Sequence, residues 1–383
     1  MSIDALKEKI GNLQHNNKFV ILRSCGSDYQ NSLMSELTSG YSLVDLSLPN
    51  LRLQAQQNPQ LFLKNLPQAA HLINLQCAPY LLPHILTEGC PLSKLIGSCT
   101  QSYYLASDGH KQTAFVELPL FADSGKAEPF VPEAERLREL AALGKKTDVI
   151  AAILQSRAVC DAAAYVRCVL QQDIMERTTV SDEVRFYRFL CAVASMAGCV
   201  VNYTILANNV GITAPTAKQW LQFLAGTGMV YLLQPVEHIA GKRLVKAPKV
   251  YFRETGVAAH LLQLHDVTTL AQSVYLKNLL ENYTVNMIRE SFLRQGELPD
   301  LRFYRDSNNK EITLLLAWHG KLYPLYVTLD KFYGNKLGKN AEIVRPYAEG
   351  KGLVLQASCV FTLGGACEQV NNDLWQVGIE LLV

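Results

Sequence analysis

Between residues 18 and 121, short apolar segments alternate with stretches of helical period, and this alternation most constrains the fold. Phe19–Leu22, Leu43–Leu46, His71–Leu75, Lys94–Gly97 and Ala114–Leu118 each read as a buried strand. Leu51–Leu66 and Pro79–Thr87, lying between them, read as helices. Strands separated by helices cannot pair through tight hairpins. They must cross over, which predicts a parallel sheet with right-handed connections. Residues 121–129 read as a surface connection.

At 383 residues the chain is too long for one ordinary core. Residues 132–198 are helical by period, with Val166, Leu170 and Ile174 on one face and Phe186, Phe189 and Leu190 on another. Tyr203–Val210 reads as a short helix stopped by Gly211. Thr213 is then an N-cap, and Pro215 sits in the first turn of a helix that buries Ala217, Leu221 and Leu224. Met229–Leu233 and Val250–Phe252 read as paired strands around a wing, which predicts a winged helix-turn-helix. A last α/β unit follows, with a long helix from about Ser273 to Leu293 and strands at Leu301–Tyr304, Ile312–Trp318, Tyr323–Leu329 and Leu353–Thr362.

Hydrophobic content of 49% and charged content of 18% describe a soluble globular chain. A net charge of +2 gives no global field toward nucleic acid or membrane, so any such contact must be local. The ten cysteines form no C-x-x-C pair and no zinc-spaced cluster, which implies reduced thiols and a cytoplasmic setting. The N-terminus reads as an amphipathic helix, not a signal peptide, and Phe189–Val201 is too short to span a bilayer. No membrane partner is therefore expected. The sequence has no H-E-x-x-H and no G-x-S-x-G. His319 falls in a hairpin turn, and Cys25 lies near a helix N-terminus, where a packed thiol is expected.

Ser24-Cys-Gly-Ser-Asp-Tyr-Gln-Asn31 joins the first strand to the next helix. A phosphate loop there needs G-x-x-x-x-G-K-[ST]. Ser24 and Tyr29 stand at the two glycines, Gln30 at the lysine and Asn31 at the metal-binding hydroxyl. A glycine lets backbone amides approach phosphate, and the lysine adds a charge-assisted contact. Both are missing.

The order of parts resembles the prokaryotic AAA-like ATP-binding proteins. The resemblance rests on Leu61-Phe-Leu-Lys-Asn-Leu-Pro67, Ala78-Pro-Tyr-Leu-Leu-Pro83, Gly211–Trp220, Gly241–Phe252, Leu280-Glu-Asn-Tyr283 and Phe303-Tyr-Arg-Asp306. It implies an α/β multidomain protein. Residues 1–125 would form a degenerate P-loop-like parallel-sheet domain, 126–198 a helical region, 199–265 a winged helix, and 266–383 a degenerate domain like a restriction endonuclease. It also implies ATP and magnesium, but the residues that would hold them are replaced. Ile73 and Asn74 stand where the family has Asp-Glu, and Gln112 where it has arginine. Isoleucine cannot hold magnesium, which takes hard oxygen ligands. Ile96-Gly-Ser98 keeps one polar residue after the fourth strand. Of the nuclease-like cluster Glu281 is kept, as a helix-anchoring residue bonded to nearby backbone, while Thr313 replaces the Asp and Tyr326-Val-Thr328 replaces Glu-x-Lys. Glu311 and Asp330 lie at other strand positions. No catalytic residue, cofactor or metal is expected.

The winged helix is the part left with an outward chemistry. Thr213, Thr216, Lys218, Gln219 and Gln222 face outward on its second helix, while Lys242, Arg243, Lys246 and Lys249, with Arg253, make a basic strip along the wing. Three readings follow. The first is a catalytically inactive interaction or regulatory scaffold with a protein partner. The second is a DNA-binding regulator that uses the wing. The third is an ATPase or nuclease with a relocated site.

Overall fold

The computed structural model describes residues 3–16, 19–24, 28–78, 80–86, 94–100, 113–119, 129–143, 148–155, 162–168, 170, 182–329, 341–364 and 366–382. The first part of the chain is α1 (Ile3–Asn16), β1 (Phe19–Ser24), α2 (Asp28–Leu37), β2 (Ser42–Asp45), α3 (Pro49–Gln57), α4 (Pro59–Lys64), β3 (Ala69–Ile73), α5 (Leu81–Leu86), β4 (Lys94–Thr100) and β5 (Thr113–Glu117). Its five strands form a parallel sheet in the order β2-β3-β4-β1-β5.

Side chains alternate across β1 and fill two cores. Val20 and Leu22 pack with Leu6 and Ile10 of α1 and Leu33 and Leu37 of α2. Phe19 and Ile21 pack on the other face with Phe62, Leu63, Leu81 and Leu82. Gly97 lies under Phe19, where an added Cβ would come within 2.6 Å of the ring, so β4 can run here only without a side chain.

The expected helix over residues 51–66 is two helices. Pro59 lacks the N–H a continuous helix needs and pushes Asn58 out of the helical region, to φ −150°. The Asn58 side chain then caps α4 by accepting from the Leu61 amide at 3.0 Å. The strand expected over residues 71–75 ends at Ile73, because Asn74 turns left-handed, with φ 57°.

The middle contains α6 (Ala134–Leu143), α7 (Val149–Leu154), α8 (Ala162–Cys168), α9 (Glu183–Ala194), α10 (Tyr203–Val210) and α11 (Ala214–Gly226), then the antiparallel pair β6 (Val230–Leu233) and β7 (Lys249–Phe252). Gly211 ends α10 at φ 72°, and Thr213 caps α11 through the Thr216 amide. Phe186 and Phe189 of α9 meet Trp220 of α11 with centroids 5.0 and 5.4 Å apart. Val166 and Leu170 are buried in the same core, whereas Ile174 and residues 120–128 lie outside the described residues.

The last part is α12 (Thr255–Leu261), α13 (Val267–Gln272), α14 (Leu276–Leu293), β8 (Asp300–Arg305), β9 (Glu311–Trp318), β10 (Lys321–Val327), β11 (Val354–Leu355), β12 (Ser358–Thr362), β13 (Glu368–Asn371) and β14 (Leu374–Gly378). Among the described residues these strands make a seven-stranded mixed sheet along β13-β14-β12-β10-β9-β8, with β11 beside β10. The β9–β10 turn takes His319 and Gly320 at φ 45° and 75°, and the His319 ring stacks on Trp318. One hydrophobic core runs from the helices around α9 through α11 and α14 to this sheet, so these parts are packed together. Among the described residues no helix is long and apolar enough to cross a membrane.

Between β6 and β7, residues 234–248 lie along the edge of the mixed sheet. Val236 donates to the Phe303 carbonyl at 2.9 Å, Phe303 to that of Gln234 at 3.2 Å, Val245 to that of Arg305 at 3.0 Å, and Ser307 to that of Arg243 at 3.0 Å. The excursion thus covers the β8 edge, which would otherwise expose unpaired backbone groups.

Candidate functional site

Ser24 ends β1 and is buried. Tyr29 lies in the first turn of α2, and Asn31 is exposed. Gln30, at the lysine position, is 0% exposed, and its Nε2 donates to the Leu118 carbonyl at 2.8 Å. The side chain is thus directed into the protein across the end of β5, engaged with backbone. Cys25 and Gln112 lie outside the described residues.

Ile73 closes β3, and Asn74 follows in the left-handed turn. Asn74 Nδ2 donates to Asp45 Oδ1 at 2.9 Å, and Asn74 Oδ1 accepts from Gln76 at 3.2 Å. Burial raises the Asp45 carboxyl, but the bonds from Asn74 and Ser47 outweigh it and hold the pKa below its ordinary value. Asp45 was absent from the sequence-level candidates. Its signal is an acid at a strand end, opposite Ile73 in the register.

Ser98 is joined to a second missed residue. Its Oγ lies 2.9 Å from His71 Nε2, a nucleophile-and-base spacing. Yet His71 is 1% and Ser98 4% exposed, and burial lowers the imidazole to about 4. A sealed dyad has no route to substrate, and it ties β3 to β4.

The nuclease-like positions do not converge. Glu281 Oε1 accepts from Lys249 Nζ at 2.8 Å and from the Tyr251 hydroxyl at 2.8 Å. Glu281 therefore anchors α14 to the side chains of β7, where a bond to nearby backbone was expected. Tyr326 packs with Tyr304, Ile312 and Leu315, whereas α14 packs with Tyr323, Leu325 and Val327. The two sets alternate along β10, so Tyr326 and Glu281 sit on opposite faces of the sheet. Thr313 is buried, and Thr328 donates its amide to the Phe361 carbonyl at 3.0 Å. Glu311 does meet Glu281, but through a cation, since its carboxylate lies 2.5 Å from Lys249 Nζ and 3.2 Å from Arg305. Asp330 lies outside the described residues.

Lys249 and Arg253 must be removed from the basic strip. Lys249 is 1% exposed between two carboxylates, and burial, which would discharge it, is outweighed by Glu281 and Glu311, so its pKa is raised. Arg253 is buried against Glu290 at 3.2 Å. Neither can reach a phosphate outside. Thr213 and Thr216 are engaged at the α11 cap, their hydroxyls 2.8 Å apart. Lys218, Gln219 and Gln222 are exposed on α11. Lys242, Arg243 and Lys246 are exposed too, around a groove of about 620 Å³ that also involves Arg302 of β8.

Residues 136–268 match a domain of unknown function, DUF8612. Two curated relatives, the uncharacterized proteins Rv2008c of Mycobacterium tuberculosis (strain ATCC 25618 / H37Rv) and Mb2031c of Mycobacterium bovis (strain ATCC BAA-935 / AF2122/97), are each 23% identical over 159 residues. That stretch is 42% of this chain and 35% of each relative, so the match spans about a third of their length. Among solved structures, the Walker-type ATPase PABY2304 of Pyrococcus abyssi aligns with a TM-score of 0.36 and 11% identity, over 67% of this chain and 94% of that one.

Proposed function

We propose that this protein is a catalytically silent relative of the AAA-like ATP-binding proteins, acting in the cytoplasm as an interaction or regulatory scaffold for a protein partner. The observation that carries the reading is Gln30. At the position where a nucleotide-binding loop offers a cation to phosphate, this chain buries a neutral amide on the Leu118 carbonyl. Asn74 adds to it, since its amide is engaged by Asp45 and Gln76 and it offers no carboxylate to magnesium. Lys249 supports the same reading in the later part of the chain, where its ammonium holds Glu281, the one carboxylate kept of the nuclease-like cluster, together with Glu311.

The test is titration of the full chain with Mg-ATP, followed by assays of phosphate release. The reading expects neither binding at millimolar nucleotide nor turnover. Stoichiometric binding with hydrolysis would overturn it.

A second reading, DNA binding, is favoured by Lys218, Gln219 and Gln222, which share the exposed side of α11. It rests on α11 as a recognition helix of a winged helix whose wing is docked elsewhere. Fluorescence anisotropy with random-sequence duplex at two salt concentrations tests it. Binding that weakens with salt and falls in Lys218→Ala supports this reading, and no binding at low salt retires it.

A further inference from the structure

We propose that the groove between residues 234–248 and β8 is a binding site for a small phosphorylated ligand. Four cationic side chains, Lys242, Arg243, Lys246 and Arg302, line it, against one carboxylate, Glu237. They come from segments more than fifty residues apart in sequence and meet only because the excursion docks on β8. Backbone bonds at Phe303, Arg305 and Ser307 fix both walls. Like charges therefore stay gathered despite their repulsion, and an anion between them relieves it.

Arg302 is already oriented by Asp300 at 3.4 Å, and it meets Glu237 only at 4.0 Å, an exposed contact that a phosphate can replace. Lys242 lies within electrostatic reach of Asp306. Pro235, Val236, Leu244 and Val245 supply an apolar wall, which suits the body of a phosphate ester. At about 620 Å³ the groove has the size of a small-ligand pocket, generally about 300–1,000 Å³. A duplex presents its phosphates on a convex ridge and fits such a concavity poorly. The site does not depend on the scaffold reading, since neither Gln30 nor Asn74 lines it.

The experiment is isothermal titration of the full chain with inorganic pyrophosphate, then with adenosine monophosphate and adenosine, at low and moderate salt. The proposal expects one pyrophosphate site that weakens with salt, binding of the monophosphate and none of the nucleoside. Affinity should fall about tenfold or more in Arg302→Gln and in Lys246→Ala. It should be unchanged in Lys218→Ala on α11. Circular dichroism confirms that each variant folds, and the exposed Lys246 gives a variant with little risk to the fold. No pyrophosphate binding at low salt overturns the proposal, as does binding indifferent to both groove variants. Duplex DNA that competes with pyrophosphate and loses affinity in Arg302→Gln would assign these contacts to a nucleic-acid backbone and overturn the small-ligand site.

Discussion

Lys249 sits where sequence and structure pull hardest against each other. In the sequence it is one more cation in a run without acids between Gly241 and Arg253. In the structure it is the centre of an ion cluster joining β7, α14 and β9. Its partners lie 32 and 62 positions away, so only the fold brings them within reach. The clue within reach was local, since a lysine that opens the apolar run Val250-Tyr-Phe252 in a buried strand needs a counter-charge. Removing the ammonium strands two carboxylates, so Lys249→Met should cost about 3–5 kcal/mol, read as a lower urea midpoint. His71 gives a pH prediction. Burial holds its folded pKa at about 4, below the unfolded value of 6.5. The unfolded chain then binds the proton first, so stability is full above pH 6.5 and falls as pH drops toward 4. The loss from this group should approach about 3 kcal/mol, and urea titrations across that window should show a steeper fall in the parent than in His71→Leu, which keeps only the slope of the carboxylates.

The inner strands of the parallel sheet were legible because β1 is apolar on both faces and packs in two cores, whereas the edge strand β2 is largely exposed and was legible from its place between helices. The break at Asn58 was legible too, in Pro59, but helical period carried the reading across it. β13 was not read, as Glu368–Asn371 is an exposed edge with no apolar alternation to mark it, and β14 was not read although Leu374, Trp375 and Val377 are apolar and buried. The docking of residues 234–248 left no mark in composition, because backbone groups make it. Two tests belong to these elements. Thr213→Ala removes the α11 cap and should lower stability by about 1 kcal/mol in urea unfolding. Val245→Pro deletes the amide that bonds Arg305, so tryptic cleavage at Lys242, Arg243 and Lys246 should become faster than in the parent. Equal cleavage rates would mean that this bond does not hold the excursion down.

Among the described residues, the proposed loss of nucleotide and metal sites rests on side chains engaged by the chain's own bonds. Gln30 lies on Leu118, Asn74 on Asp45, and Lys249 between Glu281 and Glu311. The replaced residues were readable one by one in the sequence. Their engagement was not, because each partner comes from a different strand or helix. Among the described residues, exposed basic and amide side chains gather on α11 and in the groove beside β8. The most direct test of the central claim is calorimetric titration of the full chain with Mg-ATP, beside a Tyr29→Gly/Gln30→Lys variant. The account predicts no binding in the parent at millimolar nucleotide. Tight, magnesium-dependent binding in the parent, followed by phosphate release, would contradict it.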